Sequence, residues 1–294
     1  MKRALKWIGI ILGGLIILLI ITAVGLSIAG TSRLNNSYEV QAANITVPTD
    51  EAALARGEHL VNVFCRDCHA ADLSGQLFMD EPPIGTIYTP NLSGAAEVYG
   101  VDDLVLAIRH GLDSNGQPLL VMPAESFIHL SEEDLGALIA FLQTVPRTGE
   151  ELPEKQIHPV GRILAGAGLL NSTMPATYLD HDQSFPTMPE VGANSAYGEY
   201  LARFCQSCHG ADLAGGQPPD PSSPAGPNLT PAGNLNDWTE ADFMTAIRTG
   251  VTPDGRQLNP EFMPWPSIAK FEDDELRALW LYLSSLPPRE MNVE

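Results

Sequence analysis

The chain has 294 residues, 44% of them hydrophobic, with 36 acidic against 16 basic residues and a formal net charge of −20. That length suits about two domains, and the acidic excess excludes nucleic acid as a partner, because phosphates demand positive charge. Residues 1–33 hold four of the basic residues and no acid, leaving 12 basic and 36 acidic residues beyond them, a net of −24.

At the N-terminus, Trp7–Ala29 is apolar except for Thr22 and Ser27. As a helix this stretch reaches ~35 Å, enough to cross a hydrocarbon core of about 30 Å. Lys2, Arg3 and Lys6 precede it, which by the positive-inside tendency holds the N-terminus in the cytoplasm. Ser27-Ile28-Ala29 before Gly30 also offers a small-residue cleavage site, so a removed signal peptide is the competing reading. The apolar run exceeds the usual h-region of about 7–15 residues, and a retained anchor is expected over residues 1–30. Residues 7–29 would meet membrane lipid. The span contains no His, Met or charge, so it offers no metal ligand and no proton relay. The expectation is a single pass through the cytoplasmic membrane with the rest on the periplasmic side. Residues 31–50 read as a polar, mobile linker.

Cys65-Arg66-Asp67-Cys68-His69 and Cys205-Gln206-Ser207-Cys208-His209 use all four cysteines. Cys-x-x-Cys alone fits a redox dithiol or half a zinc site. Here each pair is followed at once by His, and the pairs lie too far apart for one small zinc module. The pattern reads as c-type haem attachment: two thiols add to the two vinyl groups of a haem and the adjacent His reaches iron. Two copies imply two covalently bound haem c groups and the business of moving electrons.

The motifs are offset by 140 residues, and other landmarks recur at nearly that spacing. Pro90-Asn91-Leu92 matches Pro227-Asn228-Leu229, Ala107–Gly111 matches Ala246–Gly250, and Met122-Pro123 matches Met263-Pro264. A steady offset through separate motifs argues for duplication of one unit. The units are expected over 51–148 and 192–294, with a connector at 149–191. In chain order, each begins with an amphipathic helix, Glu51–Phe64 or Ser195–Phe204. A Gly/Pro-rich loop runs to Asn91 or Asn228. A middle helix follows at Val101–His110 or Glu240–Arg248, the second with Thr239 and Asp242 spaced as a capping box. After the Met-Pro comes a last helix, Glu132–Val145 or Glu272–Leu286. Its apolar residues fall at helical spacing, Leu135, Leu138, Ile139 and Leu142 in one and Leu276, Leu279, Trp280 and Leu283 in the other. Acids crowd its first turn, where the helix dipole favours them. In the connector, Val160–Leu170 is expected to form one short helix packed between the units.

His69 and His209 are the proximal iron ligands by position. Met122 and Met263 are the candidates for the opposite face, because they alone among the methionines occupy matching positions in both units. Met79 is the competitor in the first unit, and Met174, Met188 and Met244 read as packing. His/Met ligation raises a haem's reduction potential, the thioether favouring ferrous iron.

Each unit resembles a class I cytochrome c domain, over Pro48–Pro146 and Glu190–Pro288. The tandem, acidic, membrane-anchored arrangement is similar to dihaem cytochromes and to cytochrome subunits of bacterial membrane dehydrogenases. The resemblance implies a mainly α fold, an N-terminal transmembrane helix followed by two class I cytochrome c domains. It implies that the carbonyls of Pro90 and Pro227 accept a hydrogen bond from the proximal His. It also implies that first and last helices cross closely, at Gly57 facing Phe141 and Gly198 facing Tyr282. Thr89 stands where the second unit has Gly226, a departure that leaves the first loop's geometry open.

His59, His110, His129, His158 and His181 have no counterpart in the repeat and read as surface or structural. Arg109 and Arg248 do recur, to pair with haem propionates or to cap the middle helix. Trp265 and Trp280 are expected to pack near haem. The functional expectation is a dihaem electron carrier rather than an enzyme. It would pass single electrons from a quinol-oxidising complex or exported dehydrogenase to an oxidase, reductase or photosynthetic centre. Its redox partners would present basic docking faces. The alternative is an integral subunit of a larger respiratory or dehydrogenase complex. A dihaem peroxidase ranks below both because it needs an open iron.

Overall fold

The computed structural model describes residues 2–218 and 223–292. The expected ends of the anchor and second unit, residue 1 and residues 293–294, lie outside the described residues, as do residues 219–222 of the second haem loop. The main helices are α1 (Lys2–Leu34), α2 (Glu51–Phe64), α3 (Val101–His110), α4 (Glu132–Leu142), α5 (Pro159–Gly166), α6 (Ser195–Ala202), α7 (Glu240–Thr249) and α8 (Asp273–Ser285). The first unit is α2 to α4 and the second α6 to α8.

Sequence chemistry sets the helix starts. Asp50 accepts from the Ala53 amide at 3.0 Å, Ser131 from Asp134 at 3.1 Å and Asn194 from Tyr197 at 2.9 Å. Each satisfies an amide that the first turn leaves orphaned. Thr239 and Asp242 form the expected reciprocal capping box ahead of α7. The stripe Leu135, Leu138, Ile139 and Leu142 is buried in the first core with Leu60, Val61 and Val105. Leu276, Leu279 and Leu283 are buried in the second with Tyr197, Leu201 and Phe243, and Trp280 packs at its edge.

In both units the first and last helices cross at glycine. A Cβ at Gly57 would lie 2.0 Å from the Ala137 carbonyl oxygen, and one at Gly198 would lie 1.9 Å from that of Ala278. Phe141 and Tyr282 stand over these glycines, as the resemblance implies. No other residue permits the backbones to approach so closely.

Four segments differ from expectation. α1 is exposed, apolar and long enough to cross a membrane, with mean hydropathy 2.8, consistent with a single-pass anchor. Its helix, however, continues past residue 30 to Leu34. The remaining linker is not loose. The Tyr38 amide donates to Gly116 at 2.9 Å, and Ala42, Ile45 and Val47 pack on the first core. These apolar residues within a polar stretch give the segment something to bury. The first haem loop is not wholly irregular either. β1 (Gln76–Glu81), β2 (Gly85–Thr89) and β3 (Gln156–Ile157) form an antiparallel sheet in that order. The run Leu77-Phe78-Met79 and the alternating burial of β2 supply the strand character. Finally, α5 is shorter than expected and packs along α1 instead of between the units. Gly30 abuts the Arg162 carbonyl and Gly166 the Leu26 carbonyl.

Candidate functional site

Each unit folds around an apolar cavity, of about 180 Å³ in the first and about 420 Å³ in the second. Cys65, Cys68, His69, Pro90 and Met122 line one, and Cys205, Cys208, His209, Pro227 and Met263 line the other. The fold thus brings each unit's sequence candidates to one space. Met79 is not among the lining residues; it packs against the separate cluster around Leu34 and Ile87.

His69 Nδ1 donates to the Pro90 carbonyl at 3.0 Å, and His209 Nδ1 to that of Pro227 at 2.8 Å. This fixes each ring and leaves Nε2 as the nitrogen free to take a metal. The loops that carry these carbonyls are held alike. Asn91 donates to the Thr148 carbonyl at 2.7 Å and Asn228 to that of Arg289, also at 2.7 Å. One difference between the repeats now has a cause. Thr89 donates its hydroxyl to the Cys68 carbonyl at 2.6 Å. At Gly226 the backbone itself moves in, and a Cβ would lie 2.0 Å from the Cys208 carbonyl oxygen.

Arg109 and Arg248 do not cap the middle helix. Arg109 Nη1 donates to the Ile128 carbonyl at 2.7 Å, and Arg248 Nη1 donates to that of Ala269. Those carbonyls end the single-turn helices Ala124–Phe127 and Trp265–Ile268 that follow the Met-Pro pairs. Each guanidinium therefore ties the middle helix to the turn that presents Met122 or Met263. Arg109 also lies 4.0 Å over the Phe185 ring.

Whether a haem suits these cavities can be judged from the groups that line them. Burial pushes the Cys65 thiol up to about 12, helped by Cys68, and burial with Cys208 does the same at Cys205. Thiols so held are uncharged, as are the thioethers they would become. Burial lowers His69 and His209 against the opposing pull of the Pro90 and Pro227 carbonyls. They are neutral imidazoles, the form that binds a metal. Apolar walls, uncharged sulfur and a fixed neutral imidazole fit haem c.

Between the units runs a polar network that sequence reading missed. Arg56 donates to both oxygens of Asp134 at 2.8 Å each, and to Glu275 at 2.9 Å. His59 Nε2 pairs with Glu275 at 2.7 Å, and the Tyr200 hydroxyl donates to Asp134 at 2.8 Å across the interface. Tyr197 donates to Glu275 at 2.9 Å within the second unit. Positions 56 and 197, 59 and 200, and 134 and 275 share one offset, so the contact is pseudo-twofold. His59 is structural, and the recurring acid at positions 134 and 275 was the signal available for it. Beside the network, Phe64 and Phe204 stack with centroids 4.3 Å apart. Each immediately precedes the first cysteine of its motif. Of the other histidines, His110 and His181 pair through Nδ1 at 3.1 Å, His129 accepts from Gln183, and His158 donates to the Pro82 carbonyl.

Comparison with known proteins agrees with this architecture. Residues 195–287 match the family model described as cytochrome c, and residues 52–142 match that of cytochrome c oxidase, cbb3-type, subunit III. The chain is 28% identical over 277 residues to the alcohol dehydrogenase (quinone) cytochrome c subunit of Gluconacetobacter polyoxogenes, covering 83% of this chain and 58% of that one. It is 26% identical over 279 residues to the fructose dehydrogenase cytochrome subunit of Gluconobacter japonicus, covering 83% and 55%. It is 28% identical over 261 residues to a dihaem cytochrome c-type protein of Cereibacter sphaeroides, covering 77% and 83%. The chain therefore spans somewhat over half the length of the dehydrogenase subunits it resembles. Two cytochrome c domains around matching cavities make this protein a tandem cytochrome c, and such domains imply covalently bound haem c.

Proposed function

We propose that the protein is a membrane-anchored dihaem cytochrome that accepts single electrons from an exported dehydrogenase or quinol-oxidising complex and hands them to a terminal acceptor. One haem would attach at Cys65 and Cys68 and a second at Cys205 and Cys208. His69 with Met122, and His209 with Met263, would take the two faces of each iron. The observation that carries this reading is the recurrence of one His, Pro carbonyl and Met set around an apolar cavity in both units. Bound haem supplies a one-electron couple. The residues here would bind it, orient the His69 and His209 rings toward it, exclude water and offer a thioether that favours the reduced state.

His69 with Met122 and His209 with Met263 would hold each iron without an open position, which argues against a peroxidase. The acidic exterior suits partners with basic docking faces. The positive N-terminal flank of α1 would leave both haem units on the periplasmic side. Two arrangements fit: a free carrier, or a fixed subunit of a larger complex. The similarity to dehydrogenase cytochrome subunits favours the second.

Met122→His and Met263→His test the ligation. Each should lower one of two potentials in a redox titration, and the reduced parent should not bind carbon monoxide rapidly. An unchanged titration in either variant moves that ligand elsewhere. Mild-detergent purification at native expression decides the assembly: a dehydrogenase that co-purifies supports the subunit, and a free monomer the carrier.

A further inference from the structure

The placement of α5 against α1 has a consequence for the membrane. Gly30 of α1 abuts the Arg162 carbonyl, and Gly166 abuts the Leu26 carbonyl four residues deeper along α1. The two helices therefore run antiparallel, and α5 descends toward the membrane as α1 leaves it. Leu26 lies three residues inside Ala29, the last residue of the apolar run, or ~4.5 Å below the end of that run at 1.5 Å per residue. The foot of α5 thus reaches the depth of the hydrocarbon boundary.

The chain turns there. The Gly168 amide donates to Ala165 at 3.0 Å and the Leu169 amide to Leu164 at 3.0 Å, while Arg33 Nη1 holds the Ala165 carbonyl at 3.1 Å. Leu169 projects from this turn with 62% of its surface exposed. Above it, Ser32, Arg33, Asn36, Asn171 and Thr177 line a polar cavity of about 260 Å³, at the height where headgroups would lie. The layering is apolar below and polar above.

Charge agrees. Residues 155–179 contain no Asp or Glu, and neither do residues 2–38, in a chain with 36 acids. Lys155, Arg162 and Arg33 lie within these stretches. These two segments themselves therefore add no repulsion against an anionic lipid surface. An exposed Leu next to an apolar span, on a segment without acids, matches a lipid surface in both respects.

We propose that the turn Ala167–Leu170 is a second membrane contact, which inserts Leu169 at the hydrocarbon boundary and fixes the tilt of the haem units over the bilayer. The proposal rests on α1 spanning a membrane, as proposed above. Its reach extends to the first site: the Val121 amide donates to the Thr173 carbonyl at 2.8 Å, one residue from Met122. The first unit would then be held against the membrane, with the second attached through the pseudo-twofold interface.

The test uses the full holoprotein in nanodiscs of phosphatidylethanolamine and phosphatidylglycerol. Leu169→Cys, Ile17→Cys and Leu281→Cys each carry a nitroxide, and collisions with oxygen and with a nickel chelate are read by electron paramagnetic resonance. Leu169 and Leu281 are both exposed on the protein, so neither label disturbs a core. The expected result is an oxygen-to-nickel ratio at Leu169 severalfold above that at Leu281 and closer to that at Ile17. A ratio at Leu169 equal to that at Leu281, with Ile17 in lipid, overturns the second contact alone. A water-exposed Ile17 overturns the anchor and this contact with it. An immobile Leu169 label screened from both reagents means that protein covers the turn, which also overturns the proposal.

Discussion

Single side chains set the temper of both sites. Arg248 holds the Ala269 carbonyl and pairs with Asp273 at 2.8 Å, so it restrains the turn that presents Met263. Arg248→Leu leaves a carbonyl without its donor, at a cost of about 1–3 kcal/mol. Under the proposed ligation, one reduction potential should fall and the reduced protein should begin to bind carbon monoxide at one haem; optical titration reads both. Glu125 has one carboxylate oxygen buried without a partner among the described atoms, and burial raises its pKa. A raised acid destabilises the fold as pH rises through its folded value, because ionisation in place is disfavoured. Glu125→Gln should therefore raise Tm at about pH 8 and change it little at about pH 4, where both carboxyl forms are neutral.

At the scale of elements, both units depend on how near the first helix comes to the last. The Gly198 backbone sits against the Ala278 carbonyl with no room for a methyl group. Gly198→Ala should push α6 from α8 and destabilise by about 1–3 kcal/mol, as overpacking does. Since α6 leads directly into Cys205, the second haem should report the shift in its potential or its spectrum before the first does. Differential scanning calorimetry with a redox titration measures both effects. The helices themselves were legible, from their apolar stripes and, at Thr239, from the capping box. The hairpin of the first haem loop was not, because Gly and Pro interrupt a strand pair whose third strand, Gln156–Ile157, lies some seventy residues on.

For the whole molecule, the interface between units rests on buried charge. Burial works against ionisation of Glu275, but hydrogen bonds from His59, the Glu272 amide and Arg56 outweigh it and hold its carboxyl down to about 2, from an ordinary 4.5. A depressed acid contributes stability that is present above its unfolded pKa and lost as pH falls through its folded one. The contact should accordingly weaken from about pH 4.5 down toward about pH 2. Calorimetry should show the two units unfolding together near neutrality and separating into two transitions in acid, and Glu275→Gln should bring the separation on at neutral pH. The stacked Phe64 and Phe204 sit in that same contact, so the network also governs how the two attachment sites face each other.

Covalent and periodic features determined most of what can be said of this chain from its residues. Cys-x-x-Cys-His specifies its cofactor through bonds between near neighbours. The offset near 140 residues reveals the duplication, and an apolar run of 23 residues gives a helix long enough to cross a membrane. All of these are local or repeated along the chain. The tertiary structure decided what depends on long-range approach. It brought Met122 and Met263 into the same cavities as the histidines, gave Arg109 and Arg248 their carbonyl partners, and packed α5 antiparallel along α1. It also joined His59 and Tyr200 to acids more than sixty residues away. Such contacts pay their loop-closure entropy only when the whole fold forms. They leave no spacing to read beforehand, except where the repeat wrote the same residue type twice.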